Sequence, residues 1–191
     1  MANNFKVIAS RTVFDGQILQ VRVDQLRLDD GQQVSREVVV HHGGAAVALQ
    51  ADDGSFLMVR QYRYGSGQYQ LEFPAGKKEP GEDGLAVVTR EVAEETGYEG
   101  RGFVSLGSIV PTGAYDSEVI DMFYARQGAY VGQHLDSDER LEVLRMTLDE
   151  LTAKVMDNEI VDAKTIVMIM MLNQRAERNK KDGKEEETAD R

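Results

Sequence analysis

Between Gly76 and Tyr98 the chain reads GKKEPGEDGLAVVTREVAEETGY, and no other stretch constrains the fold so tightly. Gly76, Glu82, Arg90, Glu91, Glu94, Glu95 and Gly97 stand at fixed offsets, with bulky apolar Val92 and Tyr98 between and after them. At ordinary residue usage, a chance match to such a spaced set has odds below about 10⁻⁵. No Pro interrupts Asp83 to Thr96, and Leu85, Val88 and Val92 recur at helical spacing, so an amphipathic helix is predicted. Glu82 and Asp83 fall in its expected first turn, where carboxylates suit the helix dipole. Gly97 follows as the stop.

Glu91 and Glu95 are one helical turn apart and share a face, with Glu94 beside them. Carboxylates this close repel one another. One reading is a solvated acidic face on which Arg90 pairs with Glu94. The other is a set of oxygen donors for a hard cation. Lys partners are missing at the matching offsets, which favours Mg²⁺, with Mn²⁺ as a substitute.

Composition narrows the classes. The chain has 191 residues, enough for one domain with an addition and for a sound core. A net charge of −11 argues against a nucleic-acid backbone as partner, so an anionic substrate would need metal ions and a few placed Arg. There is no Cys, hence no disulfide or thiol chemistry. The N-terminal MANNFKVIASRT lacks an apolar signal core, and the longest apolar run, Ile166 to Leu172, is too short to span a bilayer. A cytoplasmic protein without membrane contact is the expectation.

Three segments are expected: 1–42, a β region; 43–176, the main domain; and 177–191, a charged and disordered tail. In the first, Leu19, Val21 and Val23 give way to Leu26 and Leu28, which suggests a bulge near Asp24-Gln25. Asp29-Asp30-Gly31 marks a hairpin turn into Val34 to Val40. So small a sheet has little core of its own, which points to packing on the rest of the chain or on a second copy, and a dimer is favoured. His41-His42-Gly43-Gly44 reads as a linker. Strands are expected at 45–49, 56–60, 69–73, 103–110, 119–125 and 142–146. Thr147 with Glu150 forms a capping box, and Asp162 caps a last helix to about Arg175. The loop before the last strand holds Asp136, Asp138 and Glu139.

The spaced stretch resembles the Nudix box, G-x5-E-x7-R-E-U-x-E-E-x-G-U, with U a bulky apolar residue. The flanks RQYR (60–63), LEFPAG (71–76) and REVVVHHGG (36–44) resemble the ADP-ribose pyrophosphatase and nucleoside diphosphate sugar hydrolase subgroup. The resemblance implies an α/β fold, an α/β/α sandwich around a mixed sheet, with an added N-terminal antiparallel β region. It implies Mg²⁺-dependent hydrolysis of a pyrophosphate bond, with ADP-ribose first and GDP-mannose also plausible. The alternatives are another substrate such as a modified nucleoside triphosphate, or a non-catalytic regulatory module.

By position, the resemblance implies Glu91, Glu95 and the Ala75 carbonyl as metal ligands, with Glu94 as ligand or support. Arg90 and Glu82 would brace the loop against the helix, while Gly76 and Gly97 allow tight backbone. The general base would lie on a loop well after the box, with Glu139 first, Glu142 second and Glu118 a rival. Arg63 would meet phosphate or ribose, Glu72 the terminal sugar, and Arg36 and Glu37 the base. The N-terminal region would be exchanged within a homodimer. Two departures stand out. The chain has no Trp to stack on a base, leaving Phe14, Tyr62, Tyr64 or Tyr115, and Pro111 is followed by Thr-Gly rather than by Gly.

Overall fold

A computed structural model describes residues 4–135, 137 and 139–189, the stretch 180–189 as helix backbone only. Three strands come first: β1 (Phe5–Asp15), β2 (Gln20–Leu28) and β3 (Gln33–Val40), which form one antiparallel sheet. The Asp29-Asp30-Gly31 turn joins β2 to β3 as expected, with the Gly31 amide donating to Leu28 O at 2.9 Å. The expected bulge in β2 is absent. Gln20 to Arg27 pair one-to-one with β3, and the extra residues, Ile8 and Val13, are on β1. The apolar switch in β2 therefore reflects two apolar faces of one regular strand, not a change of register.

The main domain follows: β4 (Gly44–Gln50), β5 (Phe56–Arg63), β6 (Gln68–Glu72), β7 (Ala75–Lys77), α1 (Gly84–Thr96), β8 (Tyr98–Ile109), β9 (Ile120–Tyr130), β10 (Leu141–Met146), α2 (Leu148–Met156) and α3 (Ala163–Ala189). Its sheet runs β10-β5-β4-β9-β8, with β6 added on β5 and β7 on β4. It is mixed, because β4 and β9 are parallel and the other pairs antiparallel.

β4 explains the layering. Ala45, Val47 and Leu49 point to one face and pack with Val87, Val88 and Val92 of α1. Ala46 and Ala48 point to the other and pack with Leu151 of α2 and Met168, Ile169 and Leu172 of α3. A strand buried on both faces reads as a continuous apolar run, as this one does. The result is the expected α/β/α sandwich.

β4 and β5 pair only at Leu49–Leu57 and Gln50–Phe56, then part. The gap is filled by one continuous segment: β6 pairs with β5, Pro74 O accepts from the Val47 amide at 2.9 Å, and β7 pairs with β4. This wedge carries Glu72, Ala75 and Gly76 into the middle of the sheet.

Asp83 caps α1 rather than entering its first turn, since its carboxylate accepts from the Ala86 amide at 2.8 Å. Val87, Val88 and Val92 are buried, whereas Leu85, in the first turn, is 46% exposed. The capping box at Thr147 and Glu150 forms in full, and Asp162 accepts from the Thr165 amide at 3.0 Å. α3 does not end near Arg175 but continues to Ala189, so the boundary expected at 177 falls inside it. Its end is rich in Lys and Glu, which are charged but also good helix formers. No described helix is long and apolar enough to cross a membrane.

Gly97 closes α1 with φ +76°, in the left-handed region, and its amide donates to Ala93 O. A Cβ there would lie 2.7 Å from the Tyr130 ring and 3.0 Å from the Gln133 amide nitrogen. The Gly97→Ala change should destabilise the fold by more than about 2 kcal/mol, combining backbone strain with the clash. Urea denaturation measures it; an unchanged midpoint would contradict the assignment of this turn.

Candidate active site

Helical angle places Glu95 between Val87 and Val92, in the middle of the face that α1 buries. Its residue exposure is 1%, and its carboxylate accepts from the Ala75 amide at 3.1 Å. Glu91, one turn earlier, lies against Gly76, where a Cβ would overlap the Glu91 carboxylate. Gly is required at 76 for this close approach. Glu94 is further round the helix and more open.

The end of α1 also positions the loop after β9. Glu94 O accepts from the His134 amide at 3.0 Å, and Glu95 O from the Gln133 side chain at 2.6 Å. These bonds satisfy carbonyls that a helix end leaves free. They tie residues 131–134 to the helix, and Glu139, a few residues on, reaches the same cleft.

The carboxylates are in tension. Burial pushes the Glu95 carboxyl well above the usual range, and the charges of Glu91 and Glu139 push it further. Glu91 is raised too, first by burial, against which Arg90 works. Arg90 Nη1 lies 2.8 Å from Glu91 and 2.9 Å from Glu94, and its Nε is 3.9 Å from Glu82. Glu82 in turn accepts from the Glu79 amide at 3.0 Å, within the loop that precedes the helix.

The donor set is all hard oxygen, concentrated, partly desolvated and short of positive charge. Glu91, Glu95, the Ala75 carbonyl and Glu94 thus fit a hard divalent cation by chemistry. Among the described residues, no three acidic or His side chains are already gathered into a closed metal shell. Arg90 stands between Glu91 and Glu94 instead.

Across a cleft of about 740 Å³ lies a wall of opposite character, with Arg63 and Lys164. Arg63 holds Glu72 in a two-pronged fork, Nε at 2.7 Å and Nη2 at 2.8 Å. Lys164 Nζ reaches the same carboxylate at 2.5 Å and Asp162 at 2.9 Å. Burial works to raise the Glu72 carboxyl, but the Arg63 fork and the Lys164 charge outweigh it and hold it below its ordinary value. The bond to Glu72 raises Arg63 in turn.

Residues 40–181 match the family model described as NUDIX domain. The chain belongs to the Nudix family. Residues 5–39 match the model described as nucleoside diphosphate sugar hydrolase N-terminal domain. An ADP-ribose pyrophosphatase of Bacillus subtilis (strain 168) is 32% identical over 169 residues, which cover 87% of this chain and 91% of that protein. A methanol dehydrogenase activator of Bacillus methanolicus is 34% identical over 170 residues, again 87% and 91% of the two chains. The crystal structure of an ADP compounds hydrolase shares the fold, with a TM-score of 0.81 at 19% identity over 94% of this chain and 97% of that one.

Arg90, Glu91 and Glu94 of the Nudix helix, with Ala75, Gly76, Arg63 and Glu139, are thus brought to one cleft, joined by Glu118 and Pro111, whereas buried Glu95 is not among the residues that line it. Glu142 is not. It faces away on β10 and pairs with exposed Arg60 at 3.4 Å. Glu72 is 1% exposed and fully engaged with Arg63 and Lys164, so it supports the wall rather than projecting from it. Arg36 and Glu37 lie on β3, outside this chain's own cleft. Phe14, Tyr62, Tyr64 and Tyr115 are all exposed and none lines it. Asp136 and Asp138 lie outside the described residues. Sequence reasoning missed Lys164, His41 and Lys77 in the lining. For Lys164 a signal existed: it is a cation two residues after a helix cap, in the first turn of a helix that begins apolar.

A carboxyl raised by folding binds its proton more tightly in the folded state. Its stabilising contribution is therefore full below the ordinary carboxylate pKa and is lost as pH rises through the elevated folded value. In EDTA at pH 8, Glu95→Gln, which keeps an acceptor for the Ala75 amide, should melt at a higher temperature than the unaltered protein. The gap should close as pH falls toward 5. A lower melting temperature for Glu95→Gln at pH 8 would show that Glu95 is not under charge strain.

Proposed function

We propose that the protein hydrolyses the pyrophosphate bond of nucleoside diphosphate sugars, ADP-ribose foremost and GDP-mannose-like substrates next, to a nucleoside monophosphate and a sugar phosphate. The observation that carries this reading is the cleft with two unlike walls, carboxylates on the Nudix helix facing Arg63 and Lys164. The match of residues 5–39 to a nucleoside diphosphate sugar hydrolase domain supports the substrate class. So does the likeness to an ADP-ribose pyrophosphatase over most of the chain.

Nudix hydrolases use divalent metal ions. When bound, Mg²⁺ or Mn²⁺ would neutralise pyrophosphate charge, align its oxygens and lower the pKa of attacking water. Glu91, Glu95 and the Ala75 carbonyl would hold it, with Glu94 in support. The residues do the remaining work. Arg63 spends two of its N–H groups on Glu72 and keeps the others for substrate oxygens. Glu139 takes the proton as water attacks phosphorus and the bridging P–O bond breaks, the leaving phosphate carrying away the electron pair. With Glu142 turned to Arg60, Glu139 is the base we favour.

The protein also acts as a homodimer. β1 is exposed along its whole length, with Phe5, Val7, Ile8, Val13 and Phe14 open to solvent, and no described helix layer covers it. A second copy covering this sheet would remove that apolar surface from water. It would also carry Arg36 and Glu37 to a partner's cleft, as neither reaches its own. The relative named as an activator gives a second reading, a regulatory protein that binds a nucleotide without turnover.

A panel of nucleoside diphosphate sugars and nucleoside triphosphates, with Mg²⁺ or EDTA, separates these readings. Turnover of the sugars should need Mg²⁺, and Glu95→Gln should lower kcat by about 100-fold or more. Binding without turnover would favour the regulator. Equal rates for Glu95→Gln and wild type would refute the site. Light scattering should give twice the 21.3 kDa of the chain, and a monomer would remove the role given to Arg36 and Glu37.

A further inference from the structure

Lys164 is 7% exposed, and a Lys so deeply buried is uncommon without a specific partner. It has two, Glu72 and Asp162. Three features give the arrangement a purpose. First, Glu72 is the residue that fixes Arg63, and both of its oxygens are engaged by that fork. Second, Lys164 lies 92 positions along the chain from Glu72, at the start of α3, so the fork is anchored from another element. Third, the next residue of each partner is also bonded, the Phe73 amide donating to Thr165 Oγ1 at 3.1 Å. The first turn of α3 therefore clips two consecutive residues of the wedge that leads into Ala75.

We propose that Lys164 is a positioning residue, which by gripping Glu72 holds the Arg63 guanidinium in the orientation that meets the anionic part of the substrate. The proposal rests on the hydrolase reading above. Without Lys164, Glu72 is a buried carboxylate with one cation instead of two, and the Arg63 fork is anchored on one side only. The charged groups around Glu72 are Arg63 from β5, with Lys164 and Asp162 from the start of α3; Glu95 acts on Arg63 across the cleft. Loss of Lys164 removes a charge that keeps Glu72 ionised, so the fork should fail at a higher pH than in wild type.

The test compares Lys164→Met, Lys164→Arg and Arg63→Ala, alone and with Arg63→Ala/Lys164→Met. KM and kcat are read with ADP-ribose, and Kd with the non-hydrolysable α,β-methylene analogue. Lys164→Met should raise KM and Kd roughly tenfold or more while kcat stays within about threefold. Lys164→Arg should recover most of the loss. In the Arg63→Ala background Lys164→Met should add little, since its effect passes through Arg63. The acid limb of 1/KM should shift to higher pH in Lys164→Met. Unchanged KM and Kd, or losses that multiply in the double variant, would overturn the proposal, the latter by showing that Lys164 meets substrate on its own. If Lys164→Met does not fold, Glu72→Gln/Lys164→Met leaves no orphaned carboxylate and should still bind weakly; wild-type affinity there would overturn it. Should wild type bind the analogue but not hydrolyse ADP-ribose, the hydrolase reading fails and the Kd comparison still decides on Lys164. No binding by wild type overturns both.

Discussion

The Glu91 carboxylate occupies the space that a side chain at position 76 would need, and the site is built on that exchange. The loop from Gly76 can approach the helix only because it offers bare backbone there. Its close approach also brings the Ala75 amide to Glu95, on the next turn of the same helix. One missing Cβ thus lets two carboxylates on consecutive turns engage a single backbone segment. The spacing of the motif follows: enough chain to leave the sheet, cap α1 at Asp83 and complete two turns before Glu91.

A second contact holds the opposite side. β4 and β5 part after two residue pairs, and a sheet that opens in its middle leaves backbone groups in need of partners. The segment from Gln68 to Lys77 supplies them, by pairing with each strand in turn. Its weak point is the crossing between the two strands, where Phe73 and Pro74 belong to neither. There the side chains of α3 take over, through Lys164 to Glu72 and Thr165 to the Phe73 amide. The cleft is therefore held by α1 on one wall and by the start of α3 on the other. The two helices lie on opposite faces of the sheet and both reach its open point.

What could be read from sequence was local. The caps at Thr147 and Asp162, the stop at Gly97 and the acidic face of α1 depend on residues a few positions apart, and all are in place. The sandwich was implied by the resemblance to the Nudix family, and its physical basis is a β4 that is apolar from Ala45 to Leu49 against an α1 that buries one face only. What failed was non-local. The extra residues of β1 are invisible in β2, since only the partner strand shows a shift of register. Glu142 stood second to Glu139 as a candidate base, but the strand alternation that sends it to Arg60 depends on where β10 begins. Lys164 could not be linked to Glu72 across 92 positions by any periodicity. Glu72 itself, assigned to substrate, is consumed by that link.

The distribution of charge explains how so acidic a chain can address an anion. A net charge of −11 gives a far field that opposes an anionic ligand, but a Debye length near 8 Å at physiological salt confines that penalty to close range. Within that range the few cations decide. Arg63 and Lys164 set two positive charges against the carboxylates of Glu72 and Asp162, so this wall is balanced in charge and offers an anion the Arg63 N–H groups that Glu72 leaves free. Arg90, by contrast, is one cation set between two carboxylates and near a third, and leaves the helix face short of positive charge. The two walls thus differ in kind: the helix face carries excess negative charge, and the facing wall is balanced but rich in N–H donors. A ligand that is anionic on one side and brings divalent positive charge on the other satisfies both at once, and a metal-complexed pyrophosphate has that form.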